Sequence, residues 1–202
     1  GEAGTEAKVI DNKVNNTHVL DFVIPKGPIG PAGPTLFRSA YLVTFNADKS
    51  DTGVPVEPEA RLPISRLELD VSNLLELDEK EGLIKFNVAG YYRIFFTVSA
   101  YPSVNDVEFD PTKDIVSIGF KETNTDNVYL GVGQWVYNAE PVELSACGII
   151  AVVDTAVTYE LSNLGKYKIF LQTPDLTNLS SKSYFSNSLV TLVIDYLGKQ
   201  GA

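Results

Sequence analysis

The chain has 202 residues but only one cysteine, one histidine and one tryptophan, and no methionine. A single cysteine, Cys147, excludes an intrachain disulfide. It lies in the apolar run Cys147–Val153, where the expected role is that of a small buried hydrophobe. A catalytic thiolate would need a basic partner, and the sole histidine, His18, belongs to a different part of the sequence. With no histidine after His18, nucleophilic catalysis lacks its usual base and a zinc site lacks its ligands. Basic residues are also few. The 16 Lys and Arg face 26 Asp and Glu, for a net charge of −10. That balance excludes a Lys/Arg grip on nucleic-acid phosphates and electrostatic docking on anionic lipid. It suits solubility and repulsion between crowded copies. Long apolar runs are missing too. Gly148–Val153 and Leu189–Ile194 are far too short to span a bilayer, so no membrane insertion is expected.

Residues that favour pleated, half-buried surfaces are abundant: hydrophobic residues make up 44% of the chain, among them 10 Tyr and 10 Phe. The chain divides into three zones, 1–26, 27–35 and 36–202. In the middle zone Gly27, Gly30 and Gly33 open consecutive Gly-X-Y triplets, each with proline second. A collagen triple helix needs glycine at every third residue, because only glycine fits at the crowded axis of three chains. Gly1-Glu2-Ala3 and Gly4-Thr5-Glu6 open the chain in the same pattern. The sequence therefore reads as an excised fragment whose targeting segment and longer stalk lie upstream. Nine residues cannot hold a triple helix alone and must be nucleated by their flanks.

The first zone interrupts that pattern. Ala7–Asp11 and His18–Ile24 read as strands, with Asn12–Thr17 as the turn and Pro25 as the stop. A lone hairpin is marginal in water, so three copies burying Val9, Leu20, Phe22 and Ile24 together are expected. His18 reads as a solvated hairpin residue.

The third zone alternates strands with Gly, Pro, Asn and Asp clusters. Strands are expected at Phe37–Phe45, Leu67–Val71, Ile84–Val88, Tyr91–Tyr101, Ile115–Glu122, Asn127–Val136, Val142–Val153, Val157–Leu161, Lys166–Gln172 and Ser188–Leu197. Leu67–Gly82 reads as strand and loop rather than helix. About ten short strands and no amphipathic helix point to an all-β sandwich or barrel.

Periodicity then argues for an assembly. In Tyr91–Tyr101 the positions Tyr92, Ile94, Phe96, Val98 and Ala100 form a core face. The opposite face carries Tyr91, Arg93, Phe95 and Tyr101, which a solvated surface does not require. In the last strand Val190, Leu192, Ile194 and Tyr196 oppose Leu189, Thr191 and Val193. Cys147, Ile149, Ala151 and Val153 oppose Ile150 and Val152. A two-layer sandwich leaves one face of each sheet polar, so strands apolar on both faces need a second partner. The triplets supply a stoichiometry of three, and a homotrimer is expected with Tyr91, Arg93, Phe95, Tyr101, Leu189, Thr191 and Val193 at its interface.

The run Phe86-Asn87-Val88-Ala89-Gly90-Tyr91-Tyr92-Arg93-Ile94-Phe95-Phe96 after collagen triplets resembles the C1q/TNF-like superfamily. Ser188–Leu197 is similar to that family's closing core strand. The resemblance implies a ten-stranded jelly roll in a compact homotrimer. Leu20-Asp21-Phe22-Val23-Ile24-Pro25-Lys26-Gly27 looks like a module of bacterial and bacteriophage collagen-like proteins. The nearest subgroup is similar to BclA-type exosporium glycoproteins, which implies an extracellular place on a bacterial spore surface.

Asp106, Glu108 and Asp110 alternate in a loop-like segment and offer oxygens to Ca²⁺, as do Asp48 and Asp51, but neither group has an EF-hand pattern. Gly131-Val132-Gly133 reads as a strand-pairing glycine pair, not a nucleotide loop. The reading is a non-enzymatic structural head that nucleates and caps a collagen-like stalk and contributes to adhesion. The alternative is a receptor- or glycan-binding adhesin head, including a bacteriophage tail-fibre tip, with Tyr137, Tyr184 and Phe185 as aromatic contacts on loops.

Overall fold

The computed structural model describes residues 6–14, 17–24, 38–45, 53–102, 110, 114–136, 141–172 and 188–199. The chain forms two compact units, Gly1–Leu36 and Phe37–Ala202.

In the first unit, β1 (Lys8–Val14) pairs antiparallel with β2 (Thr17–Val23). β1 runs longer than the expected Ala7–Asp11, and β2 has the expected length but is shifted one residue toward the N-terminus. Asn12 and Lys13 pair with Val19 and His18 instead of forming the turn, because cross-strand partners keep these polar residues in the ladder. The His18 Nδ1 lies 2.8 Å from Asp11 Oδ2, and both side chains are exposed.

The second unit is a sandwich of two antiparallel sheets. The smaller sheet has the order β10 (Val128–Trp135), β9 (Ile115–Glu122), β12 (Thr158–Asn163), β7 (Leu83–Phe86) and β6 (Leu75–Asp78). The larger has the order β4 (Val54–Val56), β13 (Ile169–Leu171), β8 (Gly90–Pro102), β14 (Ser188–Gly198), β3 (Arg38–Phe45) and β5 (Arg66–Asp70). A seventh strand, β11 (Val142–Val152), pairs along β8. β4 and β6 are elements that periodicity did not separate. Three or four residues carry too few alternations to register. Among the described residues β4 pairs only with β13, so the missing N–H of Pro55 breaks no central ladder. Of Lys166–Gln172 only Ile169–Leu171 joins the sheet; Lys166–Lys168 and Gln172 lie outside it.

The core lies between the sheets. On β8 every side chain of the even face from Tyr92 to Ala100 is fully buried. Val190, Leu192 and Ile194 of β14 lie beside them in register. The smaller sheet contributes Phe86, Ile118, Phe120, Tyr159 and Leu161. Each such large side chain contributes about 1.5–3 kcal/mol by leaving water. Aromatic contacts join the layers, running from Phe120 through Tyr159, Phe86 and Tyr92 to Tyr196 at centroid distances of 5.6, 5.1, 4.5 and 5.1 Å. The buried Tyr92 hydroxyl donates to the Val88 carbonyl at 2.5 Å, which removes the cost of an orphaned donor. Gly90 makes this corner possible. Its φ is +153°, and a Cβ there would lie 2.4 Å from the Gly198 carbonyl oxygen.

Candidate assembly surface

Within the Phe37–Ala202 unit the outer face of the larger sheet has no second layer over it among the described residues, yet one row of it is apolar across five strands. Pairing registers set Leu69 of β5 opposite Tyr41 of β3, and Tyr41 opposite Val193 of β14. Val193 lies opposite Phe95 of β8, and Phe95 opposite Cys147 of β11. One row of side chains thus crosses the sheet, with Leu69 53% and Phe95 37% exposed. The neighbouring row is Ser39, Asp195, Arg93 and Ile149. Ile149 is 65% exposed.

The second row holds the only charges of these two rows, and they satisfy each other within the chain. Arg93 Nε donates to Asp195 Oδ2 at 2.9 Å, and Ser39 Oγ donates to Asp195 Oδ1 at 2.6 Å. The hydrogen bond and charge of Asp195 raise the Arg93 pKa above its already high value. A partner packing on this face would therefore meet a neutralised pair flanked by apolar side chains. Tyr91, one row further along, is also partly exposed and faces Ala151 of β11. Contiguous exposed apolar surface of this kind marks an interaction site.

No protein-family model and no curated protein sequence matches the chain. Solved structures do match. The Eiger TNF of S. frugiperda aligns over 82% of this chain and 96% of its own, at 14% identity and a TM-score of 0.52. Murine APRIL at pH 5.0 aligns over 80% of this chain and 99% of its own, at 10% identity and a TM-score of 0.50. The globular domain of a zebrafish complement 1qA protein covers 81% and 99%, at 8% identity and a TM-score of 0.47. The fold is a jelly roll like that of the Eiger TNF and APRIL structures.

Within this jelly roll most of the interface residues expected from sequence share the outer face: Tyr91, Arg93 and Phe95 from β8, and Thr191 and Val193 from β14. Leu189 does not. It is 1% exposed and belongs to the core, because the β14–β3 register shifts between Ser188 and Val190. A bulge adds one residue to one strand and so turns consecutive side chains to the same side. Tyr101 lies six residues beyond Phe95, about 20 Å along the strand at the usual rise. Its ring stacks on Phe170 of β13 at 5.5 Å within the chain. Cys147 corrects another expectation: it is exposed on this face, not buried. Ile150 and Val152 fill the core from the other side of β11.

Of the candidate calcium ligands, Asp106, Glu108, Asp48 and Asp51 lie outside the described residues. The Asp110 backbone N–H donates to Asp114 Oδ2 at 2.9 Å. Among the described residues no three acidic, histidine or cysteine side chains gather as a metal would require. Gly27, Gly30, Gly33, Tyr137, Tyr184 and Phe185 also lie outside the described residues.

Sequence reading missed a buried ionic cluster on the smaller sheet. Glu160 is 5% exposed and accepts from Arg61 Nε at 2.8 Å and Ser162 Oγ at 2.7 Å, with Lys121 Nζ 3.9 Å away. Arg61 also donates to the Glu81 carbonyl at 2.8 Å, tying the β7 turn to β12. The only local signal was a charge between the apolar Tyr159 and Leu161 of β12. Its charged partners, Arg61 and Lys121, are distant in sequence.

Proposed function

We propose that the chain is the non-enzymatic, homotrimeric head of a bacterial collagen-like surface protein, with the spore exosporium as its site. The head holds three chains together so that the Gly-X-Y segment can wind and be capped. One observation carries the reading: the row Leu69, Tyr41, Val193, Phe95 and Cys147, which lies on the sheet face turned away from the core. Covering that row with a second and a third copy removes the cost of wet apolar surface. Three is the number that a collagen triple helix demands. Bringing three separate chains into one register is entropically costly, and a pre-assembled head removes most of that cost. The jelly-roll fold and the resemblance of Leu20–Gly27 to a module of bacterial and bacteriophage collagen-like proteins support the same reading. The test is sedimentation equilibrium of the whole chain. A mass three times the 22.0 kDa of one chain is expected; a well-folded species of single-chain mass at micromolar concentration would refute the proposal.

A further inference from the structure

The N-terminal hairpin has an exposed apolar cluster of its own. The β1–β2 register places Val9 opposite Phe22 and Asp11 opposite Leu20, so these four side chains share one side. Ile24, two residues after Phe22, continues that side. Phe22 is 67% and Ile24 76% exposed. Further along, the same side turns polar through the Lys13–His18 pair, with His18 held by Asp11. The opposite side mixes Lys8, Asn12 and Asp21 with Ile10, Val19 and Val23, and its polar groups pair within the hairpin: Asn12 Nδ2 donates to Asp21 Oδ2 at 2.7 Å.

The apolar cluster therefore sits at one end of the hairpin. That is the end where both strands run on into Gly-X-Y triplets, Gly1–Glu6 before and Gly27–Thr35 after. Two strands cannot bury a Phe, a Leu, an Ile and a Val by themselves. The triplets on both sides have physical meaning only when two other copies of the same segment lie alongside, which names the occupant.

We propose that Val9, Leu20, Phe22 and Ile24 dock against the same four residues of two further copies of the chain. They form a three-fold hydrophobic plug that bridges the break in the Gly-X-Y pattern and carries the chain register across it. This inference rests on the trimeric reading above. The plug is tested in the full chain with Cys147→Ser, which removes the other thiol, combined with Phe22→Cys or with Val23→Cys. Phe22 and Val23 are neighbours that point to opposite sides, so chain separation alone cannot distinguish them. Mild oxidation should convert the Phe22→Cys protein to covalent dimers with one thiol left per trimer, seen on a non-reducing gel. The Val23→Cys protein should stay largely uncrosslinked. Trimeric mass with equal cross-linking of the two variants, or with none for Phe22→Cys, would overturn the plug and leave the head intact. Single-chain mass would overturn both.

Discussion

Two tyrosines show how burial sets chemistry at the scale of one residue. Tyr92 and Tyr159 have their pKa values pushed up to about 12, chiefly because burial disfavours the phenolate. Neighbouring groups add to this, Tyr196 beside Tyr92 and Tyr129 beside Tyr159. The ordinary value of 10.0 applies once the chain unfolds. The native state therefore holds these two protons more tightly than the unfolded state. Their contribution to stability is complete below pH 10 and declines as pH rises toward 12. Denaturant unfolding at stepped pH should show a flat midpoint below pH 10 and a steep fall above it. A midpoint unchanged up to pH 12 would contradict the burial of these hydroxyls. Glu160 follows a different logic. It stays buried because Arg61 and Ser162 satisfy its oxygens, and a carboxylate stripped of such partners in a dry sheet would cost several kcal/mol.

At the scale of the element, β8 separates stability from assembly within two consecutive residues. Phe96 is fully buried between the sheets, whereas Phe95 faces outward. Phe96→Ala should destabilise the fold by about 3–5 kcal/mol through lost burial and the cavity left behind. Phe95→Asp should change chain stability little but place a charge in the proposed interface, reducing the mass to that of one chain. Thermal unfolding and sedimentation of the two variants separate the effects. Equal loss of stability in both would show that the outer face is not a separate functional surface. The alternation that assigns these roles was legible in sequence, since Gly90–Pro102 carries enough alternations to fix its phase. β14 was legible only in part. Its phase breaks at the bulge near Leu189, and nothing in the local composition marks where the register against β3 will slip.

At the scale of the whole molecule, the net charge of −10 and the apolar outer face act in opposite directions. Like charge keeps separate particles apart, while the proposed interface would hold copies together through contacts that salt screens weakly. Cys147 reports on this directly, because it is exposed in the single chain and lies in the apolar row. In native buffer the assembled protein should react slowly with a bulky maleimide, and Phe95→Asp should restore fast labelling. Fast labelling of a species with trimeric mass would place the interface elsewhere.

The sequence by itself determined the strand-rich class, the inward face of β8, the hairpin and the three-residue period of the Gly-X-Y triplets. Each of these is written in the spacing of neighbours along one chain: a period of two for strands, a period of three for the triplets. Only the tertiary structure decided that Leu189 turns inward and that Cys147 faces outward. It alone aligned Leu69, Tyr41, Val193 and Phe95 into one row, and Arg61 with Glu160. Those outcomes depend on which strands become neighbours and in what register. Register is fixed by the packing of whole sheets, and a single inserted residue reverses which way a side chain points.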